Sequence, residues 1–312
     1  MARKIKVGVI GVGYLGSIHA RIYARMPNVD LVGVVDIDPT IAKKVGAECH
    51  CDVYNAPEQL LDEVEAVSIV VPTTLHREVS ELFIENGVDI LLEKPVAHTV
   101  EDAESLVNSA ERAGIILQVG HLERFNAGVI ALADMLDRPR FFEVHRLGTF
   151  VERATDVDVI TDLMIHDIDI VLSLVASPLQ RVTAVGTKVV TSHVDIANAR
   201  LEFEDGTVAN VTASRVSNKK FRRIRVFGES RYLALNFSDQ QLEIVKPQKN
   251  HHNDRFAEIV SEKINIEQRP PLDAELEHFI ACVRDRQPPL VDGRDGLEAL
   301  KVAEIVQKDI EA

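Results

Sequence analysis

The chain of 312 residues has only three cysteines, no tryptophan and no long uninterrupted apolar segment. The cysteines form no C-x-x-C pair, which excludes a disulfide framework and zinc-ligand spacing. Cys49, His50 and Cys51 are consecutive, and if they lie on a strand they point to alternate faces, so we expect no metal site. No stretch approaches the roughly 18 apolar residues of a membrane helix. The first apolar run follows the N-terminus directly, so we expect no signal peptide and a cytoplasmic protein.

Positive charge is also scarce, because 35 Lys and Arg stand against 49 Asp and Glu, for a net charge of -14. An acidic surface repels nucleic acids and anionic membranes, so neither is expected as a partner. The length allows two domains of ordinary size, each with its own core. The expected partner is a small-molecule substrate.

A glycine-rich turn follows the first apolar run, and it reads G-x-G-x-x-G over residues 11–16. In a dinucleotide-binding turn, Gly11 permits the tight bend, Gly13 lets a pyrophosphate approach the backbone, and Gly16 lets the next helix pack closely. The phosphates would face the N-terminus of that helix. Tyr14 and Leu15 lie in the same turn and are further candidates for cofactor contact.

A second apolar run ends at Asp36, about twenty residues beyond the glycines. A carboxylate at this position accepts hydrogen bonds from the ribose hydroxyls and repels a 2'-phosphate. The sequence therefore predicts NAD as cofactor, with NADP less favoured.

Apolar strands and amphipathic helices alternate as far as residue 122, which is typical of a doubly wound parallel sheet. Two strand ends carry further candidates for cofactor binding. Pro72, Thr73 and His76 follow one strand, and Glu93 and Lys94 follow the next. The carboxyl ends of parallel strands form the edge where ligands bind. We therefore predict a dinucleotide-binding domain over residues 1–122.

The pattern changes over residues 123–312, the predicted domain for substrate binding and oligomerisation. Strands dominate from residue 181 onward, and short turns such as Glu204–Thr207 make neighbouring strands antiparallel. A helix is predicted from Asp156 to Leu174, two more near the C-terminus, and a polar loop over Lys246–Arg255. The fold class is therefore α/β in both domains.

Three residues are candidates for proton transfer. Lys94, near an oxidised nicotinamide, could hold or relay a substrate proton, or it could be a solvated lysine at a strand end. Asp162 and His166 are four residues apart and share one helical face. They could orient and deprotonate a hydroxyl, or they could be a helix-terminal aspartate and a core histidine.

Together these motifs resemble the Gfo/Idh/MocA family, named after glucose-fructose oxidoreductase, inositol dehydrogenase and a rhizopine-catabolism protein, over essentially the whole chain. The resemblance is carried by VGVIGVGYLG at residues 7–16, EKP at 93–95, and the segments 120–126 and 162–169. It implies a Rossmann domain followed by a domain with an open, mainly antiparallel sheet, and NAD(P)-dependent dehydrogenation of a CH–OH group. It also implies that Lys94, Asp162 and His166 are catalytic, and that the protein is a homodimer or homotetramer.

Within the family, segments 121–126 and 156–169 look most like the branch that oxidises nucleotide-linked amino sugars, such as UDP-N-acetylglucosamine 3-dehydrogenases. Arg124, Asn126 and Arg146 are the candidate substrate-binding residues. A dehydrogenase of a free sugar or polyol, and a catalytically silent NAD-binding sensor, remain as alternatives.

A basic cluster stands out in this acidic chain. Between residues 217 and 231 there is one acidic residue, Glu229, and six basic ones: Lys219, Lys220, Arg222, Arg223, Arg225 and Arg231. Such residues could bind a diphosphate from a sheet that faces the ligand. They could equally protect an exposed strand edge from aggregation.

Overall fold

The computed structural model describes residues 3–151, 157–248 and 257–312. The chain forms two compact units, residues 1–122 with 272–298 and residues 123–271 with 299–312. The expected second domain ran without interruption to the C-terminus, whereas the structure assigns 272–298 to the first unit. The reason is apolar burial, since Leu276, Phe279 and Ile280 belong to the core of the first unit.

Local sequence signals set the helix boundaries. The helices are α1 (Tyr14–Arg25), α2 (Pro39–Cys49), α3 (His76–Glu85), α4 (Val100–Ala113), α5 (Ala127–Met135), α6 (Ile165–Leu174), α7 (Pro271–Asp285) and α8 (Gly293–Glu311). At the start of α2 the Asp38 carboxylate accepts from the backbone N–H of Thr40, and at the start of α4 Thr99 accepts from Asp102. No described helix is both long and apolar enough to cross a membrane.

The first unit contains a parallel sheet of six strands. They are β1 (Ile5–Ile10), β2 (Val29–Val35), β3 (Asp52–Tyr54), β4 (Ala66–Ile69), β5 (Asp89–Glu93) and β6 (Leu117–Gly120). Their order is β3-β2-β1-β4-β5-β6. The order reverses between β1 and β4, and ligands of doubly wound sheets bind at the carboxyl ends of the strands beside such a reversal. The predicted doubly wound parallel sheet is confirmed.

The consecutive Cys49, His50 and Cys51 do not lie on a strand, so the argument from alternating strand faces does not apply to them. Cys49 ends α2, and His50 follows it in the left-handed conformation with φ 56°. A left-handed residue after the last turn is a common way to end a helix. Across the described part of the chain, no group of three or more His, Cys, Asp or Glu side chains is arranged to hold a metal ion.

The second unit contains a sheet of eight strands. They are β7 (Phe141–Leu147), β8 (Leu179–Thr187), β9 (Ile196–Phe203), β10 (Val208–Ser214), β11 (Phe221–Phe227), β12 (Tyr232–Asn236), β13 (Gln241–Gln248) and β14 (Glu258–Ile264). The order is β14-β13-β12-β11-β7-β10-β9-β8, and β7 with β10 is the parallel pair in a sheet that is otherwise antiparallel. The predicted mainly antiparallel sheet is confirmed.

One face of this sheet is buried. Phe142 and Val144 on β7 pack with Ile168 of α6 in the core of the unit, whereas Phe141 and Glu143 on the opposite face stay half-buried. This alternation follows from the two-residue period of a strand. The sheet therefore has one apolar face, and the side chains of α6 complete its core.

Two predictions for this unit need correction. The loop predicted over Lys246–Arg255 begins inside β13, because Leu242 and Ile244 anchor that strand in the core; residues 249–256 lie outside the described residues. The predicted helix Asp156–Leu174 begins with a residue that lies outside the described ones. Among the described residues, its helical part starts with a π turn, Ile160–Met164, and continues as α6.

Candidate active site

The glycine-rich turn joins β1 to α1. Gly11 has φ +81°, and a Cβ on Gly16 would lie 1.8 Å from the carbonyl oxygen of Gly11, so neither position accepts a side chain. A Cβ on Gly13 would meet nothing within 4 Å. The backbone at Gly13 is therefore open to a ligand at the N-terminus of α1, where helix geometry favours a phosphate. This cradle fits the pyrophosphate of a dinucleotide.

Asp36 follows β2 and is tied to this turn. Its Oδ2 accepts from the backbone N–H of Val12 at 2.7 Å, and its Oδ1 accepts from that of Asp38 at 2.9 Å. Each carboxylate oxygen retains a second lone pair that can accept from a ribose hydroxyl. The geometry at Asp36 therefore also fits a dinucleotide.

Exposed apolar side chains accompany these polar groups. Ile37 is fully exposed and Tyr14 is 76% exposed, while Leu15 is half-buried. The sequence interpretation did not include Ile37, although an isolated isoleucine between Asp36 and Asp38 is a pattern that could have indicated an exposed apolar contact. Such side chains could cover the apolar faces of a nucleotide base.

The segment after β4 is fixed by His76. Pro72 is exposed and Thr73 is half-buried at the start of a short 3-10 helix. His76 itself is 1% exposed, and its ring nitrogens lie 2.9 Å from the carbonyl oxygen of Pro95 and 3.0 Å from that of Val71. Burial lowers the pKa of His76. The ring therefore joins the segments that follow β4 and β5.

Strand β5 ends at Glu93, and the Lys94–Pro95 peptide bond that follows it is cis. The Glu93 carboxylate lies 3.4 Å from Nε2 of His19 on α1. A Cβ on Gly120 would come within 3.0 Å of the Glu93 side chain, so the glycine at the end of β6 provides its space. Lys94 is half-buried beside these groups.

Asp162 and His166 both lie on the helical segment of the second unit. Asp162 is in the π turn and His166 is in the first turn of α6, and both are half-buried. Asp158 anchors the π turn by accepting from the backbone N–H of Thr161 at 2.8 Å. Single π turns occur frequently at functional sites.

Arg146, a candidate substrate-binding residue, is 3% exposed and forms an internal ion-pair cluster. It donates to both carboxylate oxygens of Asp167, at 2.9 and 2.8 Å, and to Glu123 at 2.9 Å. Burial lowers the pKa of Arg146, but the two carboxylates more than offset this effect and the net shift is upward. Asp167 directly follows His166, so the cluster holds the helix that carries the candidate base.

Arg124 and Asn126 also make internal contacts. Arg124 lies 3.3 Å from Asp169, and burial raises the pKa of Asp169 to about 7 although Arg124 opposes the shift. Asn126 is 2% exposed and caps α5 by accepting from the N–H of Gly128 at 2.9 Å. Through these contacts, Arg124 pairs with a carboxylate on α6 and Asn126 stabilises the start of α5.

A cavity of about 440 Å³ lies in the second unit. Four cations line it together with one carboxylate, Asp162. The full lining is Arg146, Leu147, Gly148, Thr149, Val151, Asp162, Leu163, Arg215, Lys220 and Arg222. The structure therefore brings one candidate catalytic residue together with two members of the basic cluster. We refer to this cavity as the cationic pocket.

Two family models match the chain. Residues 5–121 match an oxidoreductase family with an NAD-binding Rossmann fold, and residues 134–234 match the GFO/IDH/MocA C-terminal domain. The first match shows that the first unit is of a kind that binds a nicotinamide cofactor, in agreement with the geometry at Gly13 and Asp36.

The similar proteins cover both units. UDP-N-acetylglucosamine 3-dehydrogenase of Acidithiobacillus ferrooxidans is 36% identical over 99% of this chain and 98% of its own length. A solved structure of that organism's UDP-N-acetylglucosamine 3-dehydrogenase GnnA covers 100% of this chain and 98% of its own, with a TM-score of 0.93 and 36% identity. Myo-inositol 2-dehydrogenase of Thermotoga maritima is 24% identical over 98% of this chain and 96% of its own. The chain therefore belongs to the Gfo/Idh/MocA family of oxidoreductases.

Proposed function

We propose that the protein oxidises the 3-hydroxyl of UDP-N-acetylglucosamine with NAD as hydride acceptor. The observation that carries this proposal is 36% identity along the whole length of a UDP-N-acetylglucosamine 3-dehydrogenase, against 24% for a myo-inositol dehydrogenase. The cationic pocket supports an anionic substrate over a free sugar or polyol. A catalytically silent sensor would not need Lys94, Asp162 and His166 together.

Oxidation of a secondary alcohol requires loss of a proton from oxygen and of a hydride from carbon. Nicotinamide, when bound, accepts the hydride. We assign the proton to His166, since imidazole exchanges protons near neutral pH. Lys94 donates a hydrogen bond that polarises the reacting oxygen, and Asp162 orients His166 and the sugar.

The catalytic assignment predicts that His166→Ala and Lys94→Ala each lower kcat by about 10² to 10⁴, the usual loss for a positioned proton-transfer group. NADH binding, measured by fluorescence titration, should change little. His98→Ala, at an exposed histidine four residues after Lys94, is the control. The assay follows UDP-N-acetylglucosamine by mass spectrometry and looks for a product lighter by two hydrogens. Turnover of His166→Ala at the wild-type rate would refute the assigned role.

The preference for NAD over NADP also remains a proposal, and it rests on Asp36. A 2'-phosphate would meet the negative charge of that carboxylate. Titration with NADH and NADPH should therefore give tighter binding of NADH, and Asp36→Ala should narrow the difference. Tighter binding of NADPH by the wild type would contradict this preference.

We further propose a cytoplasmic protein that assembles as a homodimer or homotetramer through its second domain. The half-buried face of the eight-stranded sheet, with Phe141 and Glu143, is the surface suited to such assembly. Light scattering at micromolar concentration tests the assembly, and a particle with only the monomer mass would contradict it.

A further inference from the structure

We propose that the cationic pocket binds the diphosphate of the nucleotide sugar, and that Arg222 and Lys220 are the residues that hold it. The predicted substrate residues Arg124 and Arg146 then have positioning roles. This inference rests on the proposed nucleotide-sugar substrate.

Strand alternation divides the basic cluster between the two faces of the sheet. Arg222 on β11 lies directly opposite Arg146 on β7, so the two side chains share the face that lines the pocket. Arg223 lies opposite His145 and therefore points to the other face. Only part of the cluster is thus available to a ligand in the pocket.

The position of β11 argues against protection of a strand edge. This strand pairs with β12 on one side and with β7 on the other, so it lies inside the sheet. Basic residues that prevent edge-to-edge aggregation belong on an edge strand. The positive charge on β11 therefore needs another explanation, and a bound anion provides one.

Arg222 is only loosely paired inside the protein. Its carboxylate neighbour Glu123 is 3.8 Å away and already accepts from Arg146 at 2.9 Å. Burial lowers the pKa of Arg222 and the nearby positive charge of Arg146 lowers it further, two effects that Glu123, Asp167 and Asp162 oppose. An anion in the pocket would offset both effects. The Arg222 side chain is 43% exposed, so a ligand can reach it.

Lys220 and Arg215 complete the cationic wall. Lys220 is exposed and precedes β11, and it forms no ion pair within the part of the chain that the structure describes. Arg215 is buried and donates to the carbonyl oxygen of Val157 at 2.8 Å, which fixes the wall in place. A guanidinium and an ammonium group together match the oxygens of a diphosphate. A volume of about 440 Å³ is within the usual range for small-molecule sites.

The test measures binding of UDP by calorimetry to the full-length protein and to single variants. Arg222→Gln and Lys220→Gln should each weaken UDP binding by about 10- to 100-fold, the usual effect of losing a charge-assisted contact. The matched controls are Arg223→Gln and Lys219→Gln, which remove the same charge from the neighbouring position. They should bind UDP like the wild type. Unchanged UDP binding by both Arg222→Gln and Lys220→Gln would overturn the proposal.

The UDP titration and the KM for UDP-N-acetylglucosamine together separate this inference from the proposed function. If the wild type binds UDP, and Arg222→Gln but not Arg223→Gln weakens it, the pocket assignment holds even when UDP-N-acetylglucosamine is not oxidised. If UDP-N-acetylglucosamine is oxidised and Arg222→Gln and Lys220→Gln leave its KM unchanged, the function holds and the pocket assignment fails. Binding of N-acetylglucosamine 1-phosphate provides a second readout. It should be weaker than binding of UDP if the pocket recognises a diphosphate, and equal affinity would contradict that specificity.

Discussion

Two completely buried carboxylates, Asp167 in the second unit and Glu275 in the first, differ in their partners. Asp167 receives two hydrogen bonds from Arg146. Glu275 on α7 is equally buried, and neither of its carboxylate oxygens has a hydrogen-bond partner among the residues that the structure describes. Burial raises the pKa of both carboxylates, but Arg146 opposes this shift at Asp167, whereas Glu93 adds to it at Glu275.

The groups around Glu275 explain this difference. Burial raises the pKa of Glu275 well above its usual range, and the charge of Glu93 raises it further. Glu275 in turn contributes to the high pKa of Tyr23, which burial chiefly sets, and the Tyr23 hydroxyl lies 2.9 Å from that of Ser68. His19 on α1 lies beside Glu93. Burial and the neighbouring carboxylate thus both favour the protonated form of Glu275.

The comparison shows that a buried carboxylate can either stabilise or destabilise the fold, depending on whether a cation pairs with it. Arg146 links β7 to the helix that carries His166, so its ion pair fixes a candidate catalytic element. The carboxylate of Glu275 accepts no hydrogen bond from the described residues, although its backbone carbonyl accepts from the Gln118 side chain at 3.2 Å. Substitution by methionine, which is long, unbranched and apolar, should therefore have opposite effects in the two units.

The largest effect is expected for Arg146→Met. Removing one partner of a buried ion pair leaves an uncompensated charge and costs about 3 to 5 kcal/mol in the free energy of unfolding. Urea denaturation at neutral pH measures this loss. Arg200→Met is the control, because Arg200 pairs with Glu202 at the surface and such a pair is worth about 1 kcal/mol or less. Similar losses for the two variants would show that the Arg146 cluster is not needed for stability.

A smaller effect of opposite sign is expected for Glu275→Met. The substitution removes two polar oxygens that lack partners, and an unsatisfied buried group costs about 1 to 3 kcal/mol. The variant should therefore unfold at higher urea concentration than the wild type at slightly alkaline pH. Glu277→Met, at an exposed position of the same helix, should change stability by no more than about 0.5 kcal/mol. A clear loss of stability in Glu275→Met would break the comparison.

The pH dependence of the same residue gives the smallest and most specific signal. Because the folded pKa of Glu275 is raised well above its usual 4.5, the folded protein binds a proton over a pH range in which the unfolded chain has released it. Stability should consequently fall as pH rises from that value through the higher folded pKa, by at most about 1.4 kcal/mol per pH unit for one proton. Glu275→Gln cannot bind this proton, so its unfolding free energy should depend less steeply on pH. Equal slopes for variant and wild type would contradict a retained proton.

Much of the fold was predictable because its signals are local. Helix α4, for example, has a capping threonine before it and a glycine with φ +68° after it, and both signals are visible in the sequence. In contrast, β3 has three residues and is defined by its pairing with β2. Strand β14 is similar, since most of its residues are exposed and show no alternating pattern. Strands of this kind are recognisable only when their neighbours are known.

The candidate site divides in the same way. The sequence alone determined the backbone requirements of the glycine-rich turn and the position of Asp36, because a few consecutive residues and one regular spacing specify them. Only the tertiary structure decided which arginines are available to a ligand. Arg146 pairs with Asp167, which is 21 residues away in the sequence. Arg222 lies opposite Arg146 on the neighbouring strand. Sheet pairing and helix packing determine such partners. The physical reason is that the charge of an arginine does not depend on which distant carboxylate folding brings within hydrogen-bond distance.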